Sequence, residues 1–451
     1  MNNRRDFLKI VSMLPATAIF GSLVACGGGE GGLTPEDGSL SGLANDDGFW
    51  DATNKLFTSN TNSVVMNIDT LATTPTVNLI ARSTVLGMAA NVPTVTTLPN
   101  QRAQLARLLN VGEEQLALVD SATVALMLVI SGFQWQPGDV VLTTSQEHPS
   151  TLAQLAIAQS VYGIEIKFIE IDLLAPFSGD EVVSRFENAI TDLQKAGKRP
   201  RAIIWSSPTY LTGAMIPPIL LARLALRHGL FSICDGAHLL GMVDFNVDAI
   251  GADVIVSSGS KWQAASKGTG VIFINKRHLG RDLFPNLIQP SFRDAHFSTG
   301  GLSTAAKLSI RLNTRESSFN ALVLSCETWN SIGRDKITRY ILSLNQYLRL
   351  RIEQKWGSSS VYSRSAEPDC CSGLLTFSPF GRVKSQVSRE KVEKFVGELA
   401  TEHGFVVKPM RIKPAVGKRE EWAVRISTPL WVKVSDVDNL VAAIEEVSTR
   451  G

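Results

Sequence analysis

At 451 residues, with 44% hydrophobic and 19% charged side chains, the chain is long enough for two lobes around a large core and has the balance of a globular enzyme. Lysine plus arginine outnumber aspartate plus glutamate by 44 to 42, a net charge of +2, and the first 25 residues hold that surplus in Arg4, Arg5 and Lys9 against Asp6. A near-neutral remainder argues against nucleic acid or an anionic membrane surface as partner, and no internal apolar run has the length of a membrane span.

The leader comes first. Asn3-Arg4-Arg5-Asp6-Phe7-Leu8-Lys9 resembles a twin-arginine export signal, and the stretch from Ile10 to Ala25 is its apolar region. Leu23-Val24-Ala25-Cys26 resembles a lipobox, in which Cys26 would carry lipid and become the mature N-terminus. The expectation is an exported, periplasmic protein with residues 1–25 as signal and Cys26 as its lipid anchor. Residues 26–45, rich in Gly, Ser and Asp, read as a tether.

From residue 46 to 316 short apolar runs alternate with amphipathic stretches. Asp139–Leu142, Ile164–Ile169, Ala202–Trp205, Phe231–Cys234, Val254–Val256 and Val271–Ile274 read as strands; Thr123–Ile130, Thr151–Val161 and Ile216–Arg227 read as helices. Gly132, Gly163 and Gly229 serve as stops, and Pro217 and Pro218 fall near a helix start. This alternation predicts an α/β fold with a mainly parallel sheet. Residues 317–451 change character: one long helix over Ala321–Gln354, a strand at Gly373–Phe377, a helix at Arg389–Thr401, a strand at Trp422–Ile426 and a last helix capped by Ser435 predict a smaller α+β lobe. Besides Cys26 the cysteines are Cys234, Cys326, Cys370 and Cys371; their spacing suggests neither zinc nor a disulfide framework.

The chemistry lies between Cys234 and Ile274. Asp235 ends one apolar run and Lys261 follows another, so both fall at strand carboxyl ends, where open α/β sheets bind ligands. A lysine amine that can form a Schiff base and a carboxylate that holds a pyridine nitrogen protonated are the pair that pyridoxal phosphate chemistry needs. Alone, each has a plainer reading, as a helix cap and as an exposed amine. Asp120-Ser121-Ala122-Thr123 precedes an apolar helix and reads as an N-cap or as a phosphate cup. Gln146-Glu147-His148-Pro149-Ser150 follows a strand and offers His148 as a ring that stacks on a cofactor, or as a loop histidine.

Asp235-Gly236-Ala237-His238, Gly241, Asp253, Ser257-Ser258-Gly259-Ser260-Lys261-Trp262 and Lys267-Gly268-Thr269-Gly270 together resemble the class V aminotransferase family, pyridoxal-phosphate-dependent enzymes of fold type I. The resemblance runs from about Val64 to Val447. It implies that Lys261 is the Schiff-base lysine and Asp235 the ring-nitrogen partner. Ser121, Ala122 and Thr123 would form the phosphate cup, with His148 stacking on the ring and His238, Ser258 and Ser260 beside it. Arg425, in a C-terminal strand, would grip the substrate carboxylate. Tyr210, in Thr209-Tyr210-Leu211-Thr212-Gly213, would stand near the substrate, although many relatives use Asn near there and this chain has none. A homodimer is also implied.

Three departures narrow the reading. Ser260 stands where the family usually has His, Ala265-Ser266 replace the usual Gly-Pro, and Gly300-Gly301 stand where relatives have Gly-Thr, a Thr that often reaches the partner subunit's phosphate. The loop His403–Val416 has no cysteine, which argues against a persulfide mechanism of the cysteine desulfurase type. Thr143 to Pro149 and Thr212-Gly213-Ala214 look nearest to the branch containing isopenicillin N epimerase. The implied function is transamination or epimerisation at the α-carbon of an amino acid, with a lyase, or an exported protein that kept the fold without turnover, as alternatives.

Overall fold

A computed structural model describes residues 50, 53–54, 57, 63–68, 98–285, 287, 303–309, 316–365, 367–381, 387–413 and 420–450. The leader, Cys26, the tether and Gly300-Gly301 lie outside the described residues.

The described chain begins with β1 (Val64–Val65) and α1 (Leu98–Leu108) and then enters the main sheet. That sheet contains β2 (Leu116–Val119), β3 (Asp139–Thr144), β4 (Glu165–Ile169), β5 (Arg199–Ser206), β6 (Phe231–Asp235), β7 (Val254–Ser258) and β8 (Gly270–Ile274), in the order β2-β8-β7-β6-β5-β3-β4. Strands β7, β6, β5, β3 and β4 pair in parallel, whereas β8 pairs antiparallel with both β7 and β2. The sheet is therefore mainly parallel, as the alternation predicts. Strand β2 is an element the sequence reading did not include.

Every residue of β6, β7 and β8 is buried, which explains their unbroken apolar runs. Alternate residues feed two separate cores: Cys234, Ile255 and Phe273 join one, while Ile233, Val254, Val256 and Ile272 join the other. Helices α2 (Ala122–Gly132), α3 (Pro149–Tyr162), α4 (Gly179–Lys195) and α5 (Pro218–Arg227) cover the faces. Gly163 ends α3 in the left-handed conformation, as predicted, and α5 begins at its proline. The short helices α6 (Val247–Ile250) and α7 (Thr304–Ser309) follow.

The predicted long helix is two: α8 (Glu316–Ile332) and α9 (Arg334–Trp356), parted at Gly333. Gly333 has φ of 103°, outside helical space and accessible to glycine, so the chain turns there without strain. Beyond lie β9 (Leu374–Phe377), α10 (Arg389–His403), β10 (Phe405–Val406), β11 (Lys408–Ile412), β12 (Glu421–Ser427) and α11 (Val434–Thr449). Strands β11-β12-β9 form an antiparallel sheet, and β10 pairs with β1. The segment read as a loop, His403–Val416, thus contains two strands. Pro409 hid β11 from the pattern, and it is tolerated because β11 is an edge strand. Helix α11 starts one residue before Ser435: the amide of Lys433 donates to Asp436 Oδ2 at 2.9 Å, and Ser435 is not the cap. Among the described residues, no helix is long and apolar enough to cross a membrane.

Candidate active site

The carboxyl ends of the central strands place their side chains side by side. Ser206, the last residue of β5, pairs in register with Asp235, the last of β6, and Asp235 pairs with Val256 of β7. At this edge lies a cavity of about 300 Å³. Ser121, Ala122, Thr123, His148, Tyr210, Asp235, His238, Ser258, Ser260 and Lys261 line it, with Leu126, Ser150, Ser206, Pro208, Ala237 and Lys408. The structure therefore gathers every sequence-predicted site residue around one space except Arg425.

At one end Asp235 is held by two donors. Thr151 Oγ1 donates to its Oδ2 at 3.0 Å and the amide of Ala237 donates to its Oδ1 at 3.1 Å, so both oxygens are fixed. A second buried carboxyl lies near it. Glu147 Oε1 accepts from Thr144 Oγ1 at 2.5 Å, and its Oε2 accepts from Ser206 Oγ. Burial pushes the Glu147 carboxyl up to about 7, the Asp235 charge adds to the rise, and the two hydroxyl bonds oppose it.

Lys261 meets His238. Its Nζ lies 3.2 Å from His238 Nε2, and the indole N–H of Trp262 donates to His238 Nδ1 at 2.9 Å. Because an indole can only donate, Nδ1 is unprotonated and the neutral ring carries its proton on Nε2. That proton then points at Lys261 Nζ, which can accept it only as the neutral amine. The tautomer is assigned from these donor roles.

Ser121 is an N-cap, as its plainer reading held: its hydroxyl accepts from the amide of Val124 at 3.2 Å. The cap leaves the cup intact, since Ala122 and Thr123 are the first two residues of α2 and their amides have no intrahelical acceptor. His148 likewise caps α3, with Nδ1 accepting from the amide of Ser150 at 3.1 Å, while its ring borders the cavity and meets Tyr210 edge-on at 4.5 Å. Ser258 and Ser260 approach each other through their hydroxyls at 3.3 Å. The donor set fits pyridoxal phosphate: the first amides of α2 with the Ser121 and Thr123 hydroxyls beside them for the phosphate, a fixed carboxylate for the ring nitrogen, a primary amine for the aldehyde and an imidazole for the ring face.

Arg425 lies one layer back. It is 1% exposed; its Nη1 donates to the carbonyl of Tyr210 at 2.5 Å, and its guanidinium stands 5.1 Å from the Tyr210 ring. Lys408 stands 5.0 Å from the same ring and does line the cavity. Lys408, Thr151, Trp262 and Ser206 are site residues that sequence reasoning missed. Only Trp262 and Ser206 had a signal, as neighbours of Lys261 and as a strand end. Among the described residues no cysteine lines the cavity, and burial pushes the Cys370 thiol up to about 12.

The family model for class V aminotransferases matches residues 75–440. Isopenicillin N epimerase of Streptomyces clavuligerus is 24% identical over 77% of this chain and 83% of its own length. L-cysteine desulfhydrase-like protein lolT1 of Epichloe uncinata is 25% identical over 42% of this chain; the match spans about two fifths (41%) of that relative. In fold, a C-DES variant with glycine covalently linked to its PLP cofactor superposes with a TM-score of 0.71 at 18% identity, over 87% of this chain and 99% of that one. The Escherichia coli cysteine desulfurase CsdA gives 0.66 at 16% identity, over 89% and 98%. The chain belongs to the class V aminotransferases, a family of pyridoxal-phosphate-dependent enzymes with this fold.

Proposed function

We propose that this enzyme acts at the α-carbon of an amino acid, by epimerisation or transamination, with Lys261 as the residue that moves the α-proton. One observation carries the reading: the Lys261 amine, held against His238 Nε2, shares a cavity with the fixed carboxylate of Asp235. Bound there, pyridoxal phosphate supplies an aldehyde for the amine and a ring that accepts charge from the α-carbon.

The chain's own residues divide the remaining work. Ser121, Ala122 and Thr123, with Ser258 and Ser260, would bind the phosphate, and His148 would lie against the ring. Asp235 would hold the ring nitrogen protonated, and Thr151 and the Ala237 amide keep Asp235 in place. His238, oriented by Trp262, faces Lys261 Nζ through Nε2 and holds the amine beside Asp235. Tyr210 borders the substrate space, with Arg425 bound to its carbonyl and standing behind its ring.

A second reading, elimination from a sulfur amino acid, is favoured by the desulfhydrase-like relatives and by a fold neighbour described as a cystine C-S lyase. We also propose an exported homodimer anchored through Cys26, on the strength of Arg4-Arg5, the lipobox and the family. Cell fractionation of the Arg4→Lys/Arg5→Lys variant tests export; sedimentation of the purified protein tests the dimer.

The decisive assay is α-proton exchange. Cofactor-loaded protein is incubated with each L-amino acid in deuterated water and read by NMR. Deuterium incorporation with loss of optical purity supports epimerisation; a 2-oxo acid and an aminated cofactor support transamination; pyruvate and sulfide from cysteine support elimination. Lys261→Ala should abolish all three. A loaded protein that exchanges no α-proton refutes the proposal.

A further inference from the structure

We propose that Glu147 holds a proton in reserve behind the cofactor site, and that Ser206 is the hydroxyl through which this proton leaves when the cofactor is loaded. The inference rests on the cofactor occupying this cavity and is independent of the reaction proposed above. Glu147 is 3% exposed, has no part in the work given to Asp235 and Lys261, and is bonded on both sides. Thr144 Oγ1 accepts from the amide of Gln146 at 3.2 Å and gives its own proton to Glu147 Oε1 at 2.5 Å. Oε1 is thus an acceptor, and a proton on the carboxyl belongs on Oε2, facing Ser206 Oγ. Ser206 then accepts that proton and has its own hydroxyl proton left to turn away. Ser206 lines the cavity and Glu147 does not, which puts one hydroxyl between the buried acid and the site.

The charges around Glu147 decide when the proton goes. Burial is the main reason the acid keeps it, and the Asp235 charge on β6 adds to the effect. Cys234, also on β6, is pushed up by burial and by both carboxyls, so its thiol stays neutral. Thr144 of β3 and Ser206 of β5 supply hydroxyls, Thr151 of α3 is bonded to Asp235, and His148, Lys261 and His238 face the cavity. Because Glu147 is buried without any ligand, a molecule entering the cavity changes only the charges near it. The phosphate belongs at the start of α2, after β2, whereas Glu147 follows β3 toward the other end of the strand order. Asp235 is closer: it pairs in register with Ser206 on the neighbouring strand. A cationic ring nitrogen on Asp235 offsets the charge that helps to keep Glu147 protonated, and Glu147 ionises. The step balances. The O–H bond at Glu147 Oε2 breaks as one forms at Ser206 Oγ, and Ser206 releases its own proton into the cavity, to water or to a pyridine-type nitrogen. Ser206 ends as a donor to the carboxylate.

Infrared spectroscopy reads this proton, since a protonated carboxyl absorbs apart from carboxylates. Wild type, Glu147→Gln, Ser206→Ala and Ser206→Thr are compared before and after loading with pyridoxal phosphate at pH 6, below the value of about 7 at which Glu147 loses its proton. Wild type minus Glu147→Gln should show a protonated-carboxyl band that loses about half its area or more on loading. Labelling glutamate carboxyls with carbon-13 shifts the band and assigns it in wild type alone, so the test does not hang on the folding of the variant. Ser206→Ala lacks a hydroxyl bond that favours the ionised form and should keep most of the band; Ser206→Thr should restore the loss. Calorimetry in two buffers of different ionisation enthalpy should show wild type releasing more protons on loading than Glu147→Gln. A wild type without the band, or one whose band survives loading, overturns the proposal. Equal loss in Ser206→Ala and wild type overturns the part given to Ser206. A wild type that takes up no pyridoxal phosphate removes the cofactor reading, and this inference with it.

Discussion

Glu147 offers a test of the buried site in which the cofactor is left out. Its carboxyl is 3% exposed, bonded to Thr144 and Ser206 and close enough to Asp235 to feel its charge. In the unfolded chain it loses its proton near 4.5; in the folded protein it keeps it up to about 7. Between those values unfolding releases a proton, so stability falls as pH rises, and the loss levels off above about 7. The interval from 4.5 to about 7 corresponds to roughly 3 kcal/mol. Glu147→Gln has no proton to lose, and its carboxamide still offers an oxygen to one hydroxyl and an N–H to the other. Urea unfolding of the cofactor-free proteins at pH 5 and pH 8.5, followed by fluorescence, should show the variant gaining most of that roughly 3 kcal/mol on wild type at the higher pH. A variant whose stability relative to wild type is the same at both pH values would refute the claim that Glu147 is neutral in the folded site.

Two further substitutions probe the neighbourhood of Lys261. Trp262→Phe removes the donor to His238 Nδ1 and keeps most of the packing; losing one hydrogen bond of about 1 kcal/mol should lower kcat about fivefold with little change in KM. Nitrogen-15 NMR of the cofactor-free variant should show the His238 ring in mixed tautomers where wild type shows Nε2–H alone; an unchanged spectrum would mean that Trp262 does not set the tautomer. Gly373→Ala would bring a methyl group within 2.5 Å of Trp262 Cη2 and 2.7 Å of Ile341 Cγ2. Overpacking of this kind costs about 1–3 kcal/mol, so its melting temperature should fall by several degrees, and its His238 spectrum should shift in the direction seen for Trp262→Phe.

The cofactor half of the site was legible because its residues sit in continuous strand-and-turn segments. Asp235 follows Phe231–Cys234, His148 follows β3, and Lys261 follows β7, so locating the strands located the side chains. The substrate half was not. Lys408 lies in an edge strand whose proline and charges break the apolar alternation, and its place in the cavity lining depends on how the second sheet packs against the first. Arg425 was placed in the right strand, but only the packed structure shows it bonded to the carbonyl of Tyr210, whose ring lines the cavity. Thr151 was read as part of a helix, which it is; its bond to Asp235 crosses from that helix to a strand and has no local signature. The break at Gly333 escaped notice because a helical pattern continues on both sides of it.

Trp262 joins these two halves. Its N–H sets the tautomer of His238, and the far edge of its ring packs against Gly373, which leads into β9 of the second sheet, and near Ile341 of α9. Strand β9 pairs with β12, and β12 pairs with β11, which carries Lys408. The sheet that brings Lys408 to the cavity is thus in contact, through one indole, with the histidine that faces Lys261. A shift of that sheet on substrate binding would be felt at His238 without any change in the seven-stranded core, because Asp235 and its donors Thr151 and Ala237 all belong to the larger lobe. The sheet β11-β12-β9 and the histidine that faces Lys261 are therefore linked by packing through Trp262, whereas the hydrogen bonds that hold Asp235 come from Thr151 and Ala237.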